Sequence, residues 1–216
     1  MIKGRLVKPI SFVPVIGEIS SDEADSIPGL RAVISHWTEG AYSAEDWFRE
    51  LKDSWGTAGF VMRRGEDVLG FLVYGPRDCL PHAGRYPVGP VDEDAVLLAY
   101  VEGDSRTRRH LMVRMLRGLR HRGVEKVEAI SSDLGLSRHV STRFLVESGW
   151  RPVRTGLYRG FPYTLARIDL GSAVEVGELA RGLLGRVKLP NLKSPSPAPG
   201  AFIQMVETPE PARSRS

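Results

Sequence analysis

The stretch AVLLAYVEGDSRTRRHLMVRMLRGLRHRGVEKVEAI, residues 95–130, decides the fold. Its first seven residues, AVLLAYV, are apolar at both alternating positions, as in a central strand covered on both faces. Leu111, Met112, Met115, Leu116 and Leu119 then recur at helical spacing with Arg114, Arg117 and Arg120 opposite, which predicts an amphipathic helix packed on a sheet. His121-Arg122-Gly123 stops it, and VEKVEAI (124–130) reads as a second strand. The unit is a β-α-β crossover. Its helix start is electrostatically odd: Arg106, Arg108 and Arg109 stand where a helix carries partial positive charge, at a cost of roughly 0.3–1 kcal/mol each.

Upstream, Ser43 and Asp46 have capping-box spacing, and Trp47, Phe48, Leu51 and Trp55 follow on one helical face. AGFVMRRGEDVLGFLVYG is two apolar runs around a polar turn, a β-hairpin. A loop of turn formers, PRDCLPHAGRYPVGPVDED, leads into the central strand. In the first forty residues, SFVPVIGEIS reads as an edge strand, since Pro14 argues against a central one. Downstream come a short helix in STRFLVESGW (141–150), a strand near Pro152–Thr155 and another at TLARIDL (164–170). Val176, Leu179, Ala180, Leu183, Leu184 and Val187 predict a last amphipathic helix. From Leu189 prolines cluster and periodicity stops, so residues 1–188 read as one domain and 189–216 as a flexible tail. The fold class is α/β (α+β), a mixed sheet with helices on both faces.

The 216 residues suffice for one domain with a real core, and 42% apolar with 26% charged residues is ordinary for a globular protein. No window approaches the ~18 apolar residues of a membrane span. The start MIKGRLVKPISFVPVIG lacks a signal peptide's apolar run and cleavage site, so the cytoplasm is the expected compartment. Cys79 stands alone, which excludes an internal disulfide and cysteine-rich metal sites. The histidines, His36, His82, His110, His121 and His139, show no ligand spacing, and no metal is expected. Trp47 and Trp55 read as core residues; Trp37 is a candidate for stacking on a ligand. A net charge of +4 favours anionic partners.

This order of elements resembles the GCN5-related N-acetyltransferase (GNAT) family over about residues 28 to 170. DAVLLAYV stands where that family has its cofactor strand. DSRTRRHLMVRMLRGLRHRGVEKVEAI stands at its phosphate loop, long helix and following strand, and RFLVESGWRPV at its short helix, which here ends in Gly149-Trp150. The resemblance implies a splayed sheet and transfer of an acyl group from acetyl-CoA, or another acyl-CoA, to a primary amine of a small molecule or protein. Cofactor contacts would then fall on Ala99, Tyr100 and Val101 along the strand and on Arg106, Thr107, Arg108, Arg109 and His110 at the helix start, where unpaired amides and the dipole favour an anion.

Two departures matter. Both glycines of the family's phosphate loop fall on arginines, Arg106 and Arg108. Either the arginines replace the amide cradle by guanidinium clamps on pyrophosphate, or the loop has lost its ligand, Asp104 or Ser105 caps the helix, and the arginines are solvated. The family's tyrosine acid falls on Leu145, beside Phe144, and neither donates a proton. Tyr163 and Tyr158 are replacements only if they face the cleft. For the base, Asp94 stands near a carboxylate that some members keep, with Glu93 and Asp92 beside it. The alternative is a solvated acidic turn. Glu102 would repel phosphate.

An N-acyltransferase is the leading expectation. A catalytically silent acyl-CoA-binding or regulatory protein acting through partners is the alternative. Nucleic-acid binding through the seven arginines of 101–124 is disfavoured, because the helix needs one face for the sheet and no aromatic residues are interleaved. A homodimer through the last helix stays open.

Overall fold

The computed structural model describes residues 13–89 and 91–171. The expected last amphipathic helix and the proline-rich tail lie outside them. The elements are β1 (Val15–Glu18), α1 (Ser21–Ala24), α2 (Leu30–Trp37), α3 (Ala44–Ser54), β2 (Gly59–Arg64), β3 (Asp67–Pro76), β4 (Val96–Val101), α4 (Ser105–His121), β5 (Lys126–Ser132), β6 (Val140–Ser141), α5 (Thr142–Glu147), β7 (Arg151–Tyr158) and β8 (Phe161–Asp169). Two short 3-10 turns, Arg77–Cys79 and Pro81–Arg85, break the loop before β4.

The sheet has the order β1-β2-β3-β4-β5-β8-β7, with β6 paired to β5. Only β4–β5 and β5–β6 run parallel, so the sheet is mixed, as expected. One face carries α1–α3 over Val61, Phe71, Val73, Leu97, Ala99 and Ile130. The other carries α4 and α5 over Leu72, Leu98, Val127 and Ala129. β4 is central because both of its faces are apolar, and its residues are all but fully covered except Tyr100.

The α4 helix follows from its sequence. Asp104 caps it, and Leu111, Met112, Met115, Leu116 and Leu119 are buried, each contributing roughly 1.5–3 kcal/mol. It stops because Gly123 turns left-handed (φ +78°), letting the Val124 amide reach the Leu119 carbonyl at 3.1 Å, a Schellman closure. Arg122 then anchors the end: its guanidinium stacks 3.8 Å above Trp55 and donates to the Trp55 carbonyl at 2.6 Å. At α3, Ser43 accepts from the Asp46 amide at 3.0 Å, and Trp47, Phe48 and Leu51 are buried as predicted.

Three differences from the sequence reading have local causes. The first forty residues contain α1 and α2 as well as the edge strand; the apolar spacing of Leu30, Val33, Ile34 and Trp37 carries α2. The last two strands are one long hairpin closed at Arg159-Gly160 (φ +50° and +81°), a tight turn whose two centres both need positive φ. Between β5 and α5 the chain inserts a segment, Asp133 to Ser141, that ends in β6.

The loop from β4 into α4 lies hard against β3. A Cβ on Gly70 would sit 2.3 Å from the Glu102 carbonyl oxygen. Gly70→Ala is therefore expected to lower stability by about 1–3 kcal/mol, as overpacking does, read as a drop in thermal midpoint. An unchanged midpoint would mean that the loop does not seat here.

Candidate active site

β4 and β5 pair only at Val96↔Val127 and Leu97↔Glu128, and then part. At the same point the register of β4 with β3 skips Ala99, passing from Tyr74↔Leu98 to Val73↔Tyr100. This is a bulge, which bends a strand and leaves one residue outside the ladder. Strict alternation would put Ala99 and Tyr100 on opposite faces; both lie against the α1–α3 layer. Val101 turns to the α4 layer. The predicted strand residues thus line the edge that β5 abandons. Tyr100 donates to Glu102 at 2.5 Å, and burial followed by that carboxylate raises its phenol pKa.

At the start of α4, the Asp104 carboxylate accepts from the Thr107 amide at 2.7 Å. That amide, then the Thr107 hydroxyl and the Arg106 amide, holds its pKa below the ordinary carboxylate range. The chain's own carboxylate therefore occupies the helix N-terminus, and the dipole is satisfied despite the arginines. Arg106 is exposed, and Arg109 and His110 are half-buried, with His110 Nδ1 2.7 Å from the Arg106 carbonyl. Arg108 alone turns inward. Its guanidinium lies 4.6 Å above the Phe144 ring, and its buried Nε meets no acceptor among the described residues.

The predicted acid and base are not brought together. Asp94 and Asp92 both pair with Lys126 at 3.2 Å, and Lys126 holds the Asp94 carboxyl low. Arg167 bridges Asp92 at 2.6 Å and the fully buried Glu128. Glu93 is solvated, 3.4 Å from Arg77. This network sits at the paired end of β4 and β5. Tyr163 pairs with Ser132, whereas Lys126 pairs with Asp169, so six residues, roughly 20 Å of strand, separate the two ends. Asp94, in this network, and the solvated Glu93 both lie remote from Tyr163.

Tyr163 instead joins a constellation that spacing did not reveal. His36 at the end of α2, His82 and Tyr86 in the loop before β4, and His139 in the inserted segment converge. The Tyr86 hydroxyl is 2.7 Å from His139 Nε2 and 3.3 Å from His36 Nε2. His139 Nδ1 lies 3.2 Å from the Ser137 carbonyl, so Nδ1 carries the proton and Nε2 accepts from Tyr86. Tyr163 lies 4.9 Å from Tyr86 and 5.0 Å from His139 between ring centres. Trp37 is fully buried beneath these rings and is a core residue. The loop is pinned by Trp47 donating to the Cys79 carbonyl at 3.0 Å and by Arg85 gripping Glu39 at 2.7 and 3.0 Å. A cleft of about 990 Å³ opens over this layer, lined by His36, His82, Tyr158 and several arginines. Among the described residues no group of side chains forms a metal site. No sequence signal short of the tertiary fold would have found this cluster, because its members are some fifty residues apart.

Burial, first, pushes both His36 and His139 down to about 4, with His82 adding to each. Between pH 6.5 and 4 the unfolded chain takes up protons that these buried rings refuse, so their contribution is complete above 6.5 and is lost as pH falls toward 4. For His139 it is on the order of 3 kcal/mol. Calorimetry from pH 7 to 4.5 is expected to show a thermal midpoint that falls less in His139→Gln than in the parent. Parallel curves would refute the assignment.

No family model and no curated protein matches the chain. Solved structures do. An N-acetyltransferase from Staphylococcus aureus superposes at TM-score 0.52 and 14% identity, covering 73% of this chain and 99% of that one. The protein yncA of Salmonella typhimurium, solved with its cofactor acetyl-CoA, gives 0.53 at 15% over 74% and 96%. A ribosomal-protein-alanine N-acetyltransferase from Brucella melitensis gives 0.52 at 16% over 72% and 99%. At these identities the likeness is one of fold: the chain has the mixed, splayed-sheet fold of the GCN5-related N-acetyltransferases that the sequence resemblance implied.

Proposed function

We propose that the chain is an N-acyltransferase that moves an acyl group, most simply the acetyl of acetyl-CoA, to an amine acceptor. The observation that carries this reading is the coincidence, at Ala99, of a bulge with the separation of β4 from β5. It leaves a stretch of β4, Ala99 to Val101, facing a gap on its β5 side, and Arg108 lies over Phe144 in the same apolar layer as Val101. A pantetheine arm is an extended chain of amides and suits such an edge. The orphaned Arg108 Nε fits an anionic group arriving there, since a buried donor without a partner costs about 1–3 kcal/mol.

When bound, acyl-CoA supplies a thioester carbonyl open to attack by an amine. The protein's work is then to hold the amine and move its proton. The cleft over His36 receives the acceptor. A neutral His36, half-buried at the cleft wall and held by its hydrogen bond to Tyr86, takes the proton lost on attack and gives it up to water in the cleft. Tyr163, held beside Tyr86, keeps water from the inner end. Asp94 braces the paired end of the sheet through Lys126, Glu93 is solvated, and neither takes part in proton transfer.

Two features favour a catalytically silent regulatory protein of the same fold as the second reading. Asp104 occupies the amides where pyrophosphate sits in the expected arrangement, and β6 stands on the β5 edge of the gap. Titration with acetyl-CoA and CoA, followed by thiol release across an amine panel, separates the readings. Saturable binding with turnover is expected; binding without turnover, or no binding at millimolar cofactor, ends the acyl-transfer reading and favours the silent protein.

Two substitutions localise the site. Arg106→Ala with Arg108→Ala is expected to weaken acetyl-CoA binding at least tenfold, about 1.4 kcal/mol, and unchanged affinity would place the phosphates elsewhere. Tyr86→Phe is expected to lower kcat tenfold or more while leaving acetyl-CoA affinity intact; an unaltered kcat would mean that Tyr86 does not position the base.

A further inference from the structure

The cleft over His36 is unusually cationic for a pocket that is to receive an amine. Arg31, Arg85, Arg138 and Arg159 all line it, against the single carboxylate of Glu39. Arg85 is bonded to Glu39 through both of its forks. Among the described residues, Arg31, Arg138 and Arg159 make no ion pair with a carboxylate; Arg159 lies over the Tyr158 ring at 5.3 Å. Three uncompensated guanidinium charges thus face one concavity, where low-dielectric walls focus their field.

The backbone points to the same place. Among the described residues, the non-glycine positions with positive φ are Glu39 (+56°), Arg138 (+66°) and Arg159 (+50°), and all three line this cleft. Glycine or asparagine adopts this conformation with little strain, whereas an arginine or glutamate does so at a cost. Strained residues of this kind cluster at ligand sites. At Arg159 the hairpin turn itself calls for Asn, Asp or Gly, and the position carries a guanidinium beside the cleft instead.

An ordinary alkylammonium or a polyamine would be repelled here. We infer that the acceptor is a small amine that also bears an anionic group, a carboxylate or a phosphate, held by Arg31, Arg138 and Arg159 while its amine lies toward His36. The inference rests on the acyl-transfer reading. The volume, about 990 Å³, suits a small ligand rather than a folded surface. The same positive field disfavours the ammonium form of the bound acceptor and so delivers the amine in its nucleophilic state.

The test compares thiol release from acetyl-CoA with L-aspartate, O-phosphoethanolamine, glycinamide and cadaverine as acceptors. At least one anionic amine is expected to exceed glycinamide and cadaverine tenfold or more in kcat/KM, and whichever of the two leads identifies carboxylate or phosphate as the recognised group. Arg138→Gly with Arg159→Gly, which removes both guanidiniums and relieves both backbones, is expected to raise KM for that amine at least tenfold. CoA affinity by calorimetry should stay the same and the thermal midpoint should not fall. Equal turnover of neutral, cationic and anionic amines, or an unchanged KM in the variant, overturns the proposal and leaves acyl transfer standing. If no amine turns over, calorimetric titration of the CoA-saturated protein with L-aspartate and with O-phosphoethanolamine decides. Saturable binding that the double variant loses sustains an anion site without catalysis, and no binding overturns it.

Discussion

Everything distinctive in this molecule depends on how little of β4 is bonded to β5. Two residue pairs join them, and beyond Leu97 the strands diverge. A buried parallel pair that comes apart leaves backbone amides and carbonyls unsatisfied, so something must hold the strands together at one end and fill the space at the other. The closed end is held by charge. Glu128 is fully buried on β5, receives the Asp92 amide at 2.9 Å, and is bound by Arg167 from β8. Removing one partner of such a pair typically costs 3–5 kcal/mol. The network therefore fixes where divergence begins, and Asp92 and Asp94, two of the carboxylates that the sequence offered as bases, lie in it.

The open end is shaped by the bulge and by β6. Ala99 is small, and a larger side chain at a bulge packed under α2 would meet the core that contains Ile130 and Tyr163. Gly70 has the same logic on the neighbouring strand, where the Glu102 carbonyl comes too close for any Cβ. The arginine-rich start of α4 is reconciled with its dipole by Asp104, one carboxylate that satisfies the helix and leaves Arg108 free to turn inward over Phe144. The conflict between charge and dipole visible in the sequence is thus real, and it is resolved locally.

The fold was legible where a local period carried it. Leu111, Met112, Met115, Leu116 and Leu119 report a helix face whatever surrounds them, and AVLLAYV reports a strand covered twice. The hairpin of β2 and β3 and the Ser43 cap followed from turn and cap chemistry of the same short range. The candidate residues were placed on their strand and helix by local pattern, and their mutual arrangement was not. Asp94 and Tyr163 come to opposite ends of the sheet because sequence gives adjacency along a strand and not which end of the sheet opens. His36, His82, Tyr86 and His139 carry no mutual spacing, since they come from a helix end, a loop and an insertion that only tertiary packing brings together. Glu39, Arg138 and Arg159 gave no warning either: a left-handed arginine reads like any other until its φ is known.

The insertion between β5 and α5 links these observations. β6 pairs with β5 through Ser131 and Ser132, so it lies on the edge that β4 leaves. Successive residues of a strand face opposite sides, and the two sides here are the two halves of the proposed reaction. Val140 is buried with Phe144 and Leu145 in the α4 layer, beneath the inward-turned Arg108. His139 faces the α1–α3 layer, against Trp37, Tyr86 and Tyr163. One short segment thus fills the divergence on the side of the inward-turned Arg108 and, one residue earlier, supplies the inner terminus of the hydrogen-bonded chain that leads through Tyr86 to His36 and the cationic cleft. The left-handed Arg138 immediately before it is the joint that lets the chain enter the sheet in that register while placing its own charge at the cleft wall. Moving the insertion by one residue would exchange His139 and Val140 between the faces, burying an imidazole against Leu145 and leaving Tyr86 without its acceptor. Register, and not the mere presence of a histidine, is what joins the gap in the sheet to the hydrogen-bonded chain at the cleft.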